Sequence, residues 1–189
     1  MKILRTGVAG LAGFLTASLI AACTSVGQGN NNYVSGDGTV TEYGIEGRGD
    51  PLEFTGVTDR GTTVSSADYR GEVLVVNFWY AACPPCRLEA PDLQALSEEF
   101  AGDGVTFLGV NIRDGAETSL SFAETFGVTY PSIIDRDGQV TLAFSGLASP
   151  TAVPTTVVID RDGRASARIV GLLEPSTLRA LIHTALDED

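Results

Sequence analysis

Val73-Leu-Val-Val-Asn-Phe-Trp-Tyr-Ala-Ala-Cys-Pro-Pro-Cys-Arg-Leu-Glu-Ala-Pro91 is the stretch that decides the fold of this chain. Residues 73–78 form a nearly continuous run of β-branched and apolar side chains, which is typical of a central strand buried on both faces. The run leads directly into a Cys-x-x-Cys motif, Cys83 to Cys86. A helix is predicted from about residue 84 to residue 100, because Pro84 suits a first helical turn. The stretch therefore predicts a buried strand, a short turn and a helix that starts inside the cysteine motif.

This placement gives the two cysteines different chemistry. Cys83 falls at the helix N-terminus, where unpaired N–H groups and the helix dipole favour an anion. We therefore expect the pKa of the Cys83 thiol to lie below that of free cysteine. Cys86 falls about one turn into the helix, where we expect it to be more buried and closer to an ordinary thiol. The pattern indicates a dithiol in which Cys83 attacks or is attacked and Cys86 resolves the mixed disulfide.

Other uses of this motif remain open on the residues alone. A structural zinc site needs about four ligands, and the chain offers only His183, far along the sequence, beside the two cysteines. A purely structural disulfide would close a very small loop and constrain the unfolded chain little. Two thiolates suit Cu(I), although no methionine lies near to complete the site. A peroxidase is also possible, but the cysteine spacing favours dithiol exchange over a lone peroxidatic thiol.

Outward from this motif, the pattern alternates between strand and helix. A short hairpin precedes the central strand, and a second hairpin followed by a helix ends the chain. The predicted elements are a hairpin over 52–57 and 62–64, a strand at 73–78, a helix at 84–100, a strand at 105–111, a helix at 116–126, a strand at 132–135, a short helix or strand at 139–144, a hairpin over 155–160 and 165–170, and a helix from 175. This order predicts an α/β fold whose central mixed β-sheet is flanked by helices on both faces, with an extra N-terminal β-hairpin.

The N-terminus has the pattern of a targeting segment. Positive charges at Lys2 and Arg5 precede an uncharged, mostly apolar run that ends at Ala22 and is too short for a membrane span. The stretch before Cys23 resembles a bacterial lipobox, which implies a lipoprotein signal peptide over residues 1–22 and a lipid anchor on Cys23. An ordinary signal peptide cut near Ala22 is the alternative. This pattern predicts a protein held at the cell membrane on its extracytoplasmic side.

Residues 23–50 are predicted to be the lipidated cysteine and a flexible tether, because they are rich in Gly, Asn, Ser and Thr. The folded domain is then expected over 51–189. The chain has a net charge of −12 and no basic cluster. This composition argues against nucleic acid as a partner, because phosphate binding needs Lys and Arg on one face.

The central segment resembles the thioredoxin superfamily, and within it the TlpA/ResA-like extracytoplasmic thiol–disulfide oxidoreductases. Phe78-Trp79, Cys-Pro-Pro-Cys-Arg and Pro91 carry the resemblance, which covers roughly residues 50–187. It implies a thioredoxin-like fold for the domain. In two respects the chain departs from the pattern: Asn77 stands where cytosolic thioredoxins have a buried Asp, and Ala82 stands where many relatives have Trp.

The resemblance also implies roles for residues outside the cysteine pair. Pro154 matches a cis proline that lies against the cysteines, and such a proline leaves the backbone of Val153 free to pair with an extended substrate. Glu89 matches a carboxylate that exchanges a proton with the thiols, the alternative being a surface charge on the helix. Trp79 and Tyr80 are expected beside the active site, where they shape the docking surface or simply pack in the core.

The function that the resemblance implies is thiol–disulfide exchange with a protein substrate, using the Cys83–Cys86 dithiol without a metal or another cofactor. It favours a reductase that keeps apocytochrome c or another client reduced, with electrons supplied by a membrane partner. An oxidase or isomerase of secreted proteins is the alternative within this class. A thioredoxin-like module that delivers Cu(I), or docks a partner without turnover, is the alternative outside it.

Overall fold

The strand that ends at the cysteine motif is the centre of the structure. In a computed structural model, which describes residues 32–35, 38–149 and 152–188, this strand is β5 (Val73–Trp79), and all seven of its residues are buried. It pairs in parallel with the strand Val105–Asn111 and antiparallel with the strand Thr155–Ile159. Burial on both faces explains the continuous apolar run in the sequence.

The described residues contain nine strands: β1 (Asn32–Ser35), β2 (Gly38–Glu42), β3 (Thr55–Val57), β4 (Thr63–Ser65), β5, β6 (Val105–Asn111), β7 (Ser132–Ile134), β8 (Thr155–Ile159) and β9 (Ala165–Gly171). Seven of them form the main sheet, of mixed direction, in the order β1-β2-β9-β8-β5-β6-β7. The strands β3 and β4 form a separate antiparallel hairpin, and four α-helices surround the main sheet. The helices are α1 (Pro84–Glu99), α2 (Ala116–Phe126), α3 (Gln139–Ala143) and α4 (Pro175–Asp187), with short 3-10 turns at Ile45–Gly47 and Ser66–Tyr69. The predicted fold class is confirmed, and the weak signal at 139–144 is a short helix.

Side chains that alternate along β5 divide the core into two layers. On one face, Val73 and Val75 pack with apolar residues of α1 and α4, including Leu93 and Leu178. On the other face, a second cluster contains residues of β5, α3 and the segment before the β3–β4 hairpin: Leu74, Val76, Phe78, Val140, Phe144 and Phe54. The helix α1 is therefore fixed against the sheet directly behind the cysteine motif.

The chain joins the sheet earlier than the predicted domain boundary at residue 51. β2 pairs antiparallel with β9, and Val40 is buried in the core layer that α1 and α4 cover. The physical reason is the Thr39-Val40-Thr41 sequence, whose β-branched residues suit a strand and whose middle side chain faces the core. Residues 38–42 thus belong to the folded sheet instead of the tether expected over 23–50.

The predicted signal peptide at 1–22 and the predicted anchor Cys23 lie outside the described residues. None of the helices in the described ranges has the length and apolar character that a membrane span requires.

Candidate active site

The cysteine motif lies at the carboxyl end of β5. The loop of residues 80–82 connects the strand to α1, and Cys83 is the N-cap residue of that helix, with φ −76° and ψ 114°. Cys83 and Cys86 are joined by a disulfide, with 5.3 Å between their Cα atoms. The structure therefore brings the two sulfur atoms together at a helix N-terminus.

The prolines decide which N–H groups face the Cys83 sulfur. A helix begins with N–H groups that have no hydrogen-bond partner inside the helix, but Pro84 and Pro85 have no backbone N–H group. The Cys83 N–H donates to the Tyr80 carbonyl at 3.1 Å. The Cys86 N–H donates to Cys83 Sγ at 3.2 Å. The first free N–H of α1 is thus aimed at the Cys83 sulfur, where it stabilises a thiolate.

The expected difference in burial between the cysteines is not present, because Cys83 is 1% exposed and Cys86 is 2% exposed. The two pack in a cluster with Trp79, Ala90 and Phe122. Cys83 is covered in part by Val153, whose carbonyl oxygen lies 4.0 Å from Cys83 Sγ. The Val153–Pro154 peptide bond is cis. The structure thus places Val153 and Pro154 against the cysteine pair.

Glu89 faces the interior of the protein and is only 1% exposed. Its Oε1 accepts a hydrogen bond of 2.8 Å from Asn77 Nδ2, and its Oε2 accepts one of 3.2 Å from the Leu173 N–H. Burial raises the pKa of Glu89 to about 7, against the lowering effect of these two hydrogen bonds, and Asp92 adds a smaller increase. Near neutral pH this carboxyl group can therefore hold or release a proton.

Cys86 and Asn77 line a small cavity. Asn77 is the residue that donates a hydrogen bond to Glu89. The volume of the cavity is about 10 Å³, which is close to the least space that one water molecule needs. Tyr130 and Ser132 also line it. Burial raises the pKa of the Tyr130 phenol, and the charge of Glu89 raises it further, so that this phenol stays protonated. The cavity thus connects the second cysteine with polar groups in the core.

Trp79 lies below the surface, with 5% of its area exposed. Its Nε1 donates to Ser132 Oγ at 3.1 Å, and its ring lies 4.3 Å from that of Phe122. Asp59 accepts hydrogen bonds from the Ser132 N–H and from the Ser119 hydroxyl. The indole ring is therefore held by Ser132 and Phe122 and packs against the cysteine pair inside the protein.

Tyr80 is half-buried and lies at the rim of the site under the guanidinium of Arg113, 3.9 Å from the ring centre. The neighbouring Ala81 N–H donates to Asp114 Oδ2 at 2.6 Å. The Ala81 carbonyl accepts a hydrogen bond of 3.2 Å from Arg87 Nη1. The loop before Cys83 is thereby held by Asp114, which follows β6, and by Arg87, which lies in α1.

Several of these partners could not be identified from the sequence. Ser132, Asp114 and Leu173 contact the site from β7, from the loop after β6 and from the segment after β9, and no local pattern marks them. The signal for Asn77 was present, because a polar residue in an otherwise apolar buried strand needs a partner. Within the described ranges, no three His, Cys, Asp or Glu side chains gather closely enough to ligate a metal ion.

Several proteins with similar sequences carry the name thiol-disulfide oxidoreductase. The thiol-disulfide oxidoreductase ResA of Geobacillus kaustophilus is 39% identical over 85 residues, which is 45% of this chain and 49% of ResA. The chain thus spans about half the length of the curated relatives it matches.

Solved structures align over much more of the chain. A DsbF homologue from Corynebacterium diphtheriae has 32% identity and a TM-score of 0.72, and the alignment covers 82% of this chain and 99% of that one. A secreted thiol-disulfide isomerase from Corynebacterium glutamicum has 29% identity and a TM-score of 0.74, with 83% and 98% covered. A profile of the AhpC/TSA family matches residues 49–167, more than half of the chain. The fold, the buried disulfide at the start of α1 and these similarities all agree. The chain therefore belongs to the thioredoxin-like AhpC/TSA family.

Proposed function

We propose that this protein is an extracytoplasmic thiol–disulfide oxidoreductase that exchanges electrons with protein substrates through Cys83 and Cys86. The observation that carries the proposal is the position of Cys83 at the start of α1, with its sulfur bonded to Cys86 and facing the Cys86 N–H at 3.2 Å. A sulfur in this position is a stabilised thiolate when reduced and a good leaving group when attacked.

The reaction is a pair of thiol–disulfide exchanges. In the reducing direction, the Cys83 thiolate attacks one sulfur of a substrate disulfide, and the other substrate sulfur leaves as a thiolate with the bonding electron pair. The Cys86 thiolate then attacks Cys83 Sγ and releases the second substrate thiolate. Two electrons pass to the substrate, and the Cys83–Cys86 disulfide remains.

Two further groups have roles in this scheme. The backbone of Val153, next to Pro154 and 4.0 Å from Cys83 Sγ, is the docking edge for an extended substrate segment. Glu89 takes up the proton that Cys86 loses when it becomes nucleophilic, because its raised pKa and the cavity near Cys86 suit proton transfer near neutral pH. Since Cys83 is 1% exposed, its sulfur must become more accessible when a substrate docks.

Catalysed reduction of insulin by dithiothreitol tests the proposal. The wild-type protein should accelerate the reaction, and Cys83→Ser should abolish the acceleration. A Cys83→Ser protein as active as wild type would contradict the proposed role of the motif. Tight, stoichiometric Cu(I) binding without any reductase activity would assign the protein to copper delivery instead.

We propose the reducing direction, with apocytochrome c thiols or another extracytoplasmic client as substrate and a membrane protein as electron donor. An isomerase or oxidase is the second candidate, because one similar structure is that of a secreted thiol-disulfide isomerase. The midpoint potential of the Cys83–Cys86 couple separates the two directions. A value near about −270 mV indicates a reductase, and one near about −120 mV indicates an oxidant.

We further propose that Cys23 carries a lipid anchor that holds the domain at the cell membrane. The lipobox-like sequence before Cys23 supports the anchor, and the secreted location of a similar protein supports the extracytoplasmic side of the membrane. In bacteria, the wild-type protein should incorporate labelled palmitate, and a Cys23→Ser protein should not. A wild-type protein without label would contradict the anchor.

A further inference from the structure

Two arginines are fixed to the short loop that leads into Cys83. The Arg113 guanidinium lies 3.9 Å from the centre of the Tyr80 ring. Arg87 donates to the Ala81 carbonyl at 3.2 Å and lies 5.0 Å from the centre of the Phe126 ring. Both arginines are exposed. Two oriented positive charges therefore border the redox pair.

Neither of these arginines has an acidic partner within the described residues. The ion pairs found there use Arg48, Arg70, Arg164 and Arg179. The carboxylate next to Arg113, that of Asp114, accepts hydrogen bonds from the Ala81 N–H and the Asn111 amide instead. Other described arginines also lack an ion pair, but Arg87 and Arg113 are the ones whose guanidinium groups stack on aromatic rings beside the cysteine motif.

An apolar contact surface lies beside these charges. Leu88, the residue after Arg87, is 69% exposed, more than any other large apolar side chain in the described ranges. Ala82 and Pro84 are also exposed around the cysteine motif. We call Arg87, Leu88 and Arg113 the arginine rim.

We propose that the arginine rim selects partner polypeptides whose reactive cysteine is flanked by acidic side chains. This inference rests on the proposed function and specifies its substrate class. A guanidinium binds a carboxylate through two parallel hydrogen bonds, and stacking on Tyr80 and Phe126 holds both arginines in place before the partner arrives. Less side-chain entropy is then lost on docking. The overall negative charge of the chain repels acidic partners at a distance, so the selection acts at contact.

Three peptides test this inference. They share one cysteine, which carries a thionitrobenzoate disulfide, and differ only in having Glu, Gln or Lys on both sides of that cysteine. The Cys83 thiolate attacks the peptide sulfur, and thionitrobenzoate leaves as the thiolate. Cys86 then attacks Cys83 and releases the peptide thiolate, so the protein dithiol is oxidised and the peptide disulfide is reduced. The rate of thionitrobenzoate release is measured for the reduced wild-type protein and for two variants.

For the wild type, we expect the Glu peptide to react about two- to tenfold faster than the Gln peptide, the range that two exposed ion pairs provide, and the Lys peptide to react most slowly. In the Arg87→Gln/Arg113→Gln protein, the Glu-to-Gln ratio should fall to about one. The control Arg70→Gln loses the same kind of charge at the opposite end of β5, and it should keep the wild-type ratio. High salt should reduce the ratio in the wild type.

The ratio of the Glu-peptide rate to the Gln-peptide rate separates the effect of docking from the intrinsic reactivity of Cys83. Loss of positive charge also alters the Cys83 thiolate, but that change affects all three peptides equally. Equal Glu and Gln rates in the wild type, or an unchanged ratio in the double variant, would overturn the inference while leaving the proposed function intact. Rim-dependent binding to phosphatidylglycerol vesicles without any peptide preference would assign the arginines to lipid headgroups and also overturn it. If no peptide reacts, the proposed function itself fails.

Discussion

Asn77 and Glu89 form a hydrogen bond of 2.8 Å in the interior of the protein, from Asn77 Nδ2 to Glu89 Oε1. The strand β5 and the helix α1 thereby share one polar contact behind the cysteine pair. Asn77 also donates to Thr156 Oγ1 at 3.1 Å, so its amide is held from two sides. The buried carboxyl group therefore comes from the helix, and the strand supplies the amide that orients it.

The stability of the oxidised protein should depend on the protonation of Glu89. Its pKa rises from 4.5 to about 7 on folding, so folding favours the protonated form. The resulting stabilisation is complete below about pH 4.5 and is lost as the pH rises through about 7. Relative to Glu89→Gln, the wild type should lose about 2–4 kcal/mol of unfolding free energy across this window. Urea denaturation of the disulfide form measures this difference without interference from the thiols.

Asp92→Asn is the matched control, because the charge of Asp92 contributes to the raised pKa of Glu89. Its loss of stability should begin at the same pH as in the wild type, but it should be smaller and end at a lower pH, because the folded-state pKa of Glu89 is lower. Parallel stability curves for the wild type and Glu89→Gln would show that Glu89 does not titrate in this range.

The pH dependence of exchange provides a second prediction for Glu89. If this carboxyl group accepts the Cys86 proton, the wild-type insulin-reduction rate should show an inflection near about pH 7. Glu89→Gln should lack that inflection and should react about 10²–10⁴-fold more slowly in the resolving step, the usual contribution of a positioned general base. An unchanged profile in Glu89→Gln would remove the proposed role.

Gly109→Ala should disturb the packing of Ser132 and Trp79 next to the cysteine pair. A Cβ atom on Gly109 would overlap Ser132 Oγ and would lie 2.9 Å from Trp79 Nε1. We expect a loss of about 1–3 kcal/mol in unfolding free energy, as for other overpacked sites, and a change in the fluorescence of Trp79, the only tryptophan. The control Gly49→Ala adds a methyl group with no atom within 4 Å and should be near wild type. A Gly109→Ala protein with the stability and fluorescence of wild type would argue against this close packing.

Arg48 should contribute more to stability than an arginine on the surface. Its side chain is 3% exposed and binds Asp160 at 2.8 Å and Glu188 at 2.7 Å, so it joins the segment after β2 to the end of α4. Arg48→Ala should cost about 1.5–3 kcal/mol, the usual contribution of hydrogen bonds to charged groups, because Asp160 keeps its pair with Arg164 at 3.5 Å and Glu188 is partly exposed. Arg70→Ala breaks the more exposed pair with Glu53 and should cost less than about 1 kcal/mol. Equal, small losses in denaturant would show that residue 48 lies outside the cooperative fold.

Local sequence patterns were sufficient for the elements that surround the cysteine motif. The apolar run of β5, the proline after Cys83 and the helical spacing of Leu93, Leu96 and Phe100 all report short-range geometry, and these three side chains are buried. The short strand β2 was not recognised, because its few β-branched residues lie in a polar segment. It becomes a strand by pairing with β9, about 130 residues away.

Polar contacts across the core were harder to predict. The register of β6 with β7 decides which side chain accepts the hydrogen bond from Trp79 Nε1. The packing of α1 against β5 decides which residue donates a hydrogen bond to Glu89. Neither arrangement follows from the periodicity of one segment. The sequence therefore indicated the cysteine pair and Glu89, but it did not indicate which residues contact them across the core.

Trapping of the mixed disulfide tests the central claim most directly. Reduced Cys86→Ser protein is mixed with insulin, and the covalent products are identified by mass spectrometry. The attack of Cys83 on the substrate disulfide should produce a stable adduct through Cys83, because the resolving thiol of Cys86 is absent. Cys83→Ser should produce no such adduct. An adduct in Cys83→Ser, or none in Cys86→Ser, would contradict the assignment of Cys83 as the attacking sulfur and Cys86 as the resolving one.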